Sequence, residues 1–258
     1  MPAAMQFIIN RKENKNMYSS FTRAIKAEHL KLKRSPVWLA FFALPVISAF
    51  FGTNNYLMNQ GILQSEWFSL WSQHSLFLCF FFMPALIGTF CSYLWRLEHL
   101  RTNWNSFLTT PVPLLCLYLG KLYQAVKIVI LGNLWIFLLY FLCGKLCALT
   151  APFPPQTLEW FLCGVLGGAV ICSIQLALSM VIRSFAVPIG IGLLGGLAGM
   201  LLTNKGYGLL YPYSLYSIGM RANNPKMEID LKLFAISSIF YMILLCILSV
   251  AGLRRHEQ

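Results

Sequence analysis

The chain has 258 residues, of which 58% are hydrophobic and only 11% charged, with a formal net charge of +12. A soluble domain carries about 25% charged residues, so this chain cannot coat itself with polar groups, and lipid is the solvent its composition calls for. Its positive charges gather at the N-terminus, around the middle and at Arg254-Arg255, which is the pattern of cytoplasmic flanks rather than of a nucleic-acid surface.

Residues 1–16 look like neither a signal peptide nor a structured element, because the apolar run is too short for a signal sequence. Met17 is a candidate alternative start. From Tyr18 to Arg34 the pattern is a basic amphipathic helix: Phe21, Ala24, Ile25 and Leu32 share a face, and Arg23, Lys26, Lys31, Lys33 and Arg34 project elsewhere. Such a helix lies in the headgroup plane with its cations on anionic lipid. Residues 1–34 are therefore read as a cytoplasmic tail and in-plane helix, and residues 35–258 as a membrane domain.

Ser35-Pro36 is a helix start, with Ser as N-cap and Pro at the first helical position. Span one runs from Val37 to Phe51 and on towards Met58, with Pro45 inside it. Gly52 to Gln73 reads as a loop carrying Glu66 and the aromatics Trp67, Phe68 and Trp71, which suit an interfacial belt. Span two is His74 to Trp95, kinked near Pro84. Span three is Lys121 to Cys143 and contains Lys127, about 9 Å deeper than Lys121 along a helix. Lys127 either snorkels to headgroups or serves a proton or substrate.

Span four is Leu158 to Ile182, and Arg183 marks a tight turn. Span five, Val187 to Thr203, holds Gly192, Gly195, Gly196 and Gly199 in two overlapping Gly-x-x-x-Gly frames. Small residues let helix backbones approach closely, so this face packs on another helix, in this chain or in a second membrane half. Asn204 to Lys232 is too aromatic for a solvated linker and reads as a partly re-entrant or interfacial cap. Span six, Leu233 to Leu253, closes at Arg254-Arg255. The fold class is thus an all-α polytopic membrane protein of six transmembrane helices, with both termini on the basic, cytoplasmic side.

Between spans two and three lies Arg96 to Gln124, the most polar long stretch between two apolar ones. Leu97, Leu100, Trp104, Phe107 and Leu108 form one face of a short helix that stops before Pro111. It is either an ordinary polar loop or a docking helix that takes up force from a cytoplasmic partner.

Enzyme chemistry finds no residues to run on. Asp230 is the sole Asp, so no Asp-rich metal cluster for lipid phosphotransfer exists. His74 and His99 sit at span edges, and no protease constellation lies within a span. Gly120-Lys121 and Gly144-Lys145 are each followed by Leu, so neither forms a phosphate-binding loop. The eight cysteines include no Cys-x-x-Cys and read as small buried hydrophobes. Transport or channel activity, or membrane anchoring, remains.

The series Glu98, Trp104, Phe107-Leu108, Pro111-Val112, Tyr118 and Gly120-Lys121, with Glu28-His-Leu-Lys-Leu-Lys-Arg-Ser35, resembles the permease subunits of type-2 ABC exporters. The branch it resembles most is that of lantibiotic self-immunity and bacitracin-type resistance. Pro113 departs from the polar pair usual there. The resemblance implies a non-enzymatic permease in the bacterial plasma membrane, with ATP and Mg bound by a separate cytoplasmic ABC ATPase dimer. It also implies a second permease half, the same or a related chain, and an amphiphilic peptide substrate drawn from the lipid. Residues 96–110 would be a coupling helix, with Glu98, Arg101, Trp104, Phe107 and Leu108 contacting the ATPase. Gly192, Gly195, Gly196 and Gly199 would pack the two membrane halves. No substrate-binding residue is named by the sequence. The alternative is an ATPase-independent carrier or a membrane interaction module.

Overall fold

A computed structural model describes residues 3–100, 110 and 112–255, with side chains from residue 17 to residue 254 within that range. Six helices are long and apolar enough to cross a membrane, and no strand occurs among the described residues. Helix α1 spans Ala3–Leu32. It starts well before Tyr18, because neither Pro nor Gly occurs from residue 3 to residue 35 to interrupt it. It ends where Arg34 takes a left-handed φ of 59°. The Trp38 indole then donates to Leu32 O at 2.8 Å, satisfying a terminal carbonyl.

Helix α2 is Val37–Met58, with Pro45 inside it. Ser35 was expected as its N-cap, but it makes no capping bond, and its hydroxyl is buried without a partner. The next span is longer than its apolar run predicts. It comprises α3, Glu66–Phe77, a π turn, Leu78–Phe82, and α4, Met83–His99. The stretch from Glu66 to Gln73, expected as loop, is therefore helical. Trp67 and Trp71, expected at the interface, are buried against Tyr140 and Trp160. Their four-residue spacing puts them on one helix face.

The π turn has a local cause. Pro84 has no N–H for the Phe80 carbonyl, and its ring crowds that oxygen. The carbonyl instead lies towards Gly196, where a Cβ would come within 2.5 Å of it.

Helix α5, Leu114–Leu146, begins seven positions before the predicted span. Helix α6 is Thr157–Val181, α7 is Ala186–Asn204 and α9 is Leu231–Arg255, each within two residues of expectation. Between α7 and α9 the aromatic segment forms a 3-10 turn, Gly208–Leu210, with Gly208 buried and Leu210 exposed, and then folds back into the protein as a short helix α8, Ser214–Gly219, every residue of which is buried. Tyr216 donates to Asn133 Oδ1 at 2.9 Å, and Gln175 Nε2 donates to the Tyr213 hydroxyl at 3.1 Å. Arg221 caps the Ile218 carbonyl of α8 at 3.1 Å and pairs with Glu159.

Helix α6 is the interior post, packed against α4, α5, α8 and α9. Apolar side chains such as Leu39, Phe50, Leu194, Ile236 and Ile243 point outward, as befits a lipid solvent. The contacts sort into two ends. At one, Glu66 accepts from Thr150 N and Ala151 N at 3.0 and 2.7 Å. At the other, α1, α4, the start of α5 and the end of α6 come together.

Candidate functional site

That second, basic end is built on four charges from three elements. Glu28 and Lys31 stand three apart on one face of α1, Glu98 is in the last turn of α4, and Lys121 is two turns into α5. Gly120 allows the assembly: a Cβ there would lie 3.0 Å from the Ala24 Cβ, so α1 seats directly on α5. One turn on, Gln124 Nε2 donates to Ile25 O at 3.0 Å.

The Lys121 ammonium is fully buried and donates to Glu98 Oε1 at 2.5 Å, Glu28 Oε1 at 3.0 Å and Leu94 O at 2.7 Å. It also sits 4.5 Å from the centroid of the Trp95 ring, a cation–π contact. Lys31 donates to Glu28 Oε1 at 2.6 Å and to Glu98 Oε1. Two carboxylates and two ammonium groups alternate, so the cluster is neutral overall. Desolvation opposes the charged form of Lys31, yet the facing carboxylates of Glu28 and Glu98 outweigh it and raise its pKa above the usual lysine range. Both Glu28 Oε2 and Glu98 Oε2 are buried without a hydrogen-bond partner.

The root of the polar stretch is tied down on its other side as well. The His99 ring donates to Ser179 O at 2.7 Å, where α6 ends. The Arg96 guanidinium lies 5.5 Å from the Phe185 ring, in the turn between α6 and α7. Arg96 to His99 thus form the last turn of the span rather than the start of a separate helix. The helix stops at Leu100, whose backbone is extended at φ −79° and ψ 129°. Arg101, Trp104, Phe107 and Leu108 lie outside the described residues. The chain resumes with Thr110 and Val112, and Pro113 leads into α5. What the described residues form is a mount of packed helix ends on either side of residues 101–109.

Glu98 is the one expected contact residue within the described part, and it is turned inward, 4% exposed. Its carboxylate is engaged by two lysines of its own chain. Sequence reasoning gave roles to neither Glu28 nor Lys121. The available signal was scarcity: in a chain of +12, each acid embedded in a basic or apolar stretch needs a specific partner.

The glycines of α7 are also occupied inside the chain. A Cβ at Gly192 would lie 2.6 Å from Gln175 Nε2 and 2.8 Å from Pro84 O, at Gly195 2.9 Å from the Tyr213 ring, and at Gly199 3.2 Å from Ser214 N. With Gly196 against Phe80, this face is not open to a second chain. All eight cysteines are free, and no metal-binding group occurs among the described residues.

A family model described as ABC-2 family transporter protein matches residues 24–199, more than half of the chain. The matched stretch runs from Ala24, where α1 meets α5, through the whole charge cluster to the last glycine of α7. No curated protein and no solved structure matches the chain.

Proposed function

The chain belongs to the ABC-2 family of transporter proteins and is a permease, the membrane component of an ABC transporter; from this premise we propose that it exports amphiphilic antimicrobial peptides of the lantibiotic kind. Permeases of this family are not themselves catalytic, and the family implies an ATPase partner. In this reading ATP and Mg bind a cytoplasmic ATPase dimer, and a second permease half, a copy or a related chain, completes the path. The basic end faces the cytoplasm of a bacterial plasma membrane, in line with retention of Lys and Arg there.

The observation that carries the reading is the convergence of α1, α4, α5 and α6 on the root of residues 101–109. A segment that transmits force needs a stiff anchorage, and buried paired charges with His99 and Arg96 supply one. Arg101, Trp104, Phe107 and Leu108 would meet the ATPase, with Trp104 as the anchor. Glu98 acts from inside: it fixes the angle at which the segment leaves the span rather than touching the partner.

The test is Trp104→Ala. Loss of an interface aromatic costs about 2 kcal/mol or more, roughly thirtyfold in affinity. The variant should reach the membrane normally but lose co-purification with its ATPase and the lantibiotic resistance of the cells. Normal ATPase recovery and full protection would overturn the coupling assignment. Normal ATPase recovery by the parent, with no change in lantibiotic tolerance when the gene is deleted, would overturn the substrate alone.

A further inference from the structure

Beside the charge cluster, on the other flank of α1, is a cavity of about 350 Å³ between α1 and α5. Its polar lining is Lys26, His29, Gln124 and Lys127, and its apolar lining includes Ile25, Leu30 and Tyr123. No acid lines it. Glu28 and Glu98 are engaged by Lys31 and Lys121. Among the described residues no carboxylate pairs with Lys26, His29 or Lys127.

Lys127 makes this cavity unusual. It lies in the apolar run of a membrane span, about 1.7 turns past Lys121, where an ammonium group without an anion is costly. It shares the cavity lining with two further nitrogen bases, Lys26 and His29, and with no acid. The partner this lining fits is an anion with several acceptor oxygens. At the same mouth Leu30 is 65% exposed and Tyr123 49% exposed. The anion therefore arrives attached to something apolar.

We propose that this cavity is a binding site for the phosphate headgroup of an anionic membrane lipid. Lys26 and Lys127 hold the phosphate oxygens and His29 donates a further hydrogen bond. The acyl chains run down the outward face of α5 past Tyr123 and Ile130. The site rests on the chain crossing a membrane and not on what it transports. Its consequence is mechanical: a lipid seated there bridges α1 to α5 next to the ion-pair cluster and adds a second clamp on the N-terminal helix.

The experiment uses the full chain in vesicles of phosphatidylcholine doped with phosphatidylglycerol, released into detergent and weighed by native mass spectrometry. The parent should retain phosphatidylglycerol in preference to phosphatidylcholine. Removing a lysine near an anionic headgroup weakens retention about fivefold, so Lys26→Gln with Lys127→Gln should lose roughly twentyfold or more. Lys205→Gln with Lys232→Gln, which removes equal charge at the opposite end, should change nothing. Excess inorganic phosphate should fail to displace the lipid.

Equal retention of the two lipids would overturn the proposal, as would undiminished retention by the Lys26/Lys127 variant. So would an equal loss in the control variant. Displacement by inorganic phosphate would make the site one for a soluble anion and also overturn it. If the Lys26/Lys127 variant kept its lipid but lost the ATPase, the basic groove would be a protein contact and the lipid site would not exist.

Discussion

Lys121→Met isolates the buried cluster from everything around it. Methionine keeps an unbranched side chain of similar length, so packing against Trp95 and α1 is largely retained while the charge goes. Three hydrogen bonds, of 2.5, 2.7 and 3.0 Å, are lost with it. Glu28 and Glu98 are left buried with only Lys31 between them, an uncompensated negative charge. Breaking a buried pair in this way costs about 3–5 kcal/mol, which for a chain of this size is on the order of 10 °C in unfolding midpoint. Lys31→Met should cost clearly less, because its side chain is 20% exposed and water re-solvates what remains.

The decisive comparison is Lys121→Met with Glu98→Gln. This pair restores neutrality and leaves the Glu28–Lys31 pair of α1, 2.6 Å apart. It should recover more than half of the loss, read by thermal unfolding in detergent. Lys31, with its raised pKa, contributes fully below the ordinary lysine value of about 10.4 and loses that contribution only as pH climbs through its higher folded value. The comparison is therefore insensitive to this group between pH 6 and 9. If the double variant loses the full sum of the two single losses, the cluster is not a coupled unit and the reasoning fails.

Gly196→Leu should abolish monodisperse recovery of the single chain, since even a Cβ meets the Phe80 carbonyl at 2.5 Å; Gly190→Leu, where nothing lies within 4 Å, should behave as parent, and size-exclusion profiles of the two decide it. Arg221→Ala removes the cap on α8 and the pair with Glu159, at about 1–3 kcal/mol for the carbonyl oxygens left unmet. Local opening should then raise the alkylation rate of Cys163, now 9% exposed, by about tenfold. A parental rate at Cys163, located by peptide mass, would mean that α8 is held by its tyrosines alone.

Spans four, five and six were legible almost to the residue, because each is an apolar run bounded by Pro or charge. Span two was legible from His74 to Trp95 but not in its first two turns. Its upper turns, Glu66 to Gln73, mix Ser, Gln and Trp, and average hydropathy sees no membrane helix where two tryptophans in fact bury themselves against α5 and α6. The glycine frames of α7 were visible as a packing face, but which surface they meet depends on the π turn of another helix. The charge cluster was the least legible. Glu28 and Lys121 stand 93 positions apart, and no local pattern announces such a pair. What brings them together is Gly120 beside Ala24, a close approach visible only when the two helices are in place.

The π turn at Leu78–Phe82 has a consequence for the span that carries it. A π turn adds one residue to a helix without adding a matching rise, so the side chains above and below it are out of phase by about 100°. Above the turn Trp67 and Trp71 face α5 and α6, and below it Ser92 and Glu98 take up Ser179 and the lysines. The span behaves as a spliced shaft whose two halves are indexed separately, and the splice sits where α7 offers a glycine instead of a side chain. Substitutions at half-buried Phe81 leave that indexing intact, whereas regularising residues 78–82 to α-helix with no residue removed would rotate Glu98 about a quarter turn away from Lys121.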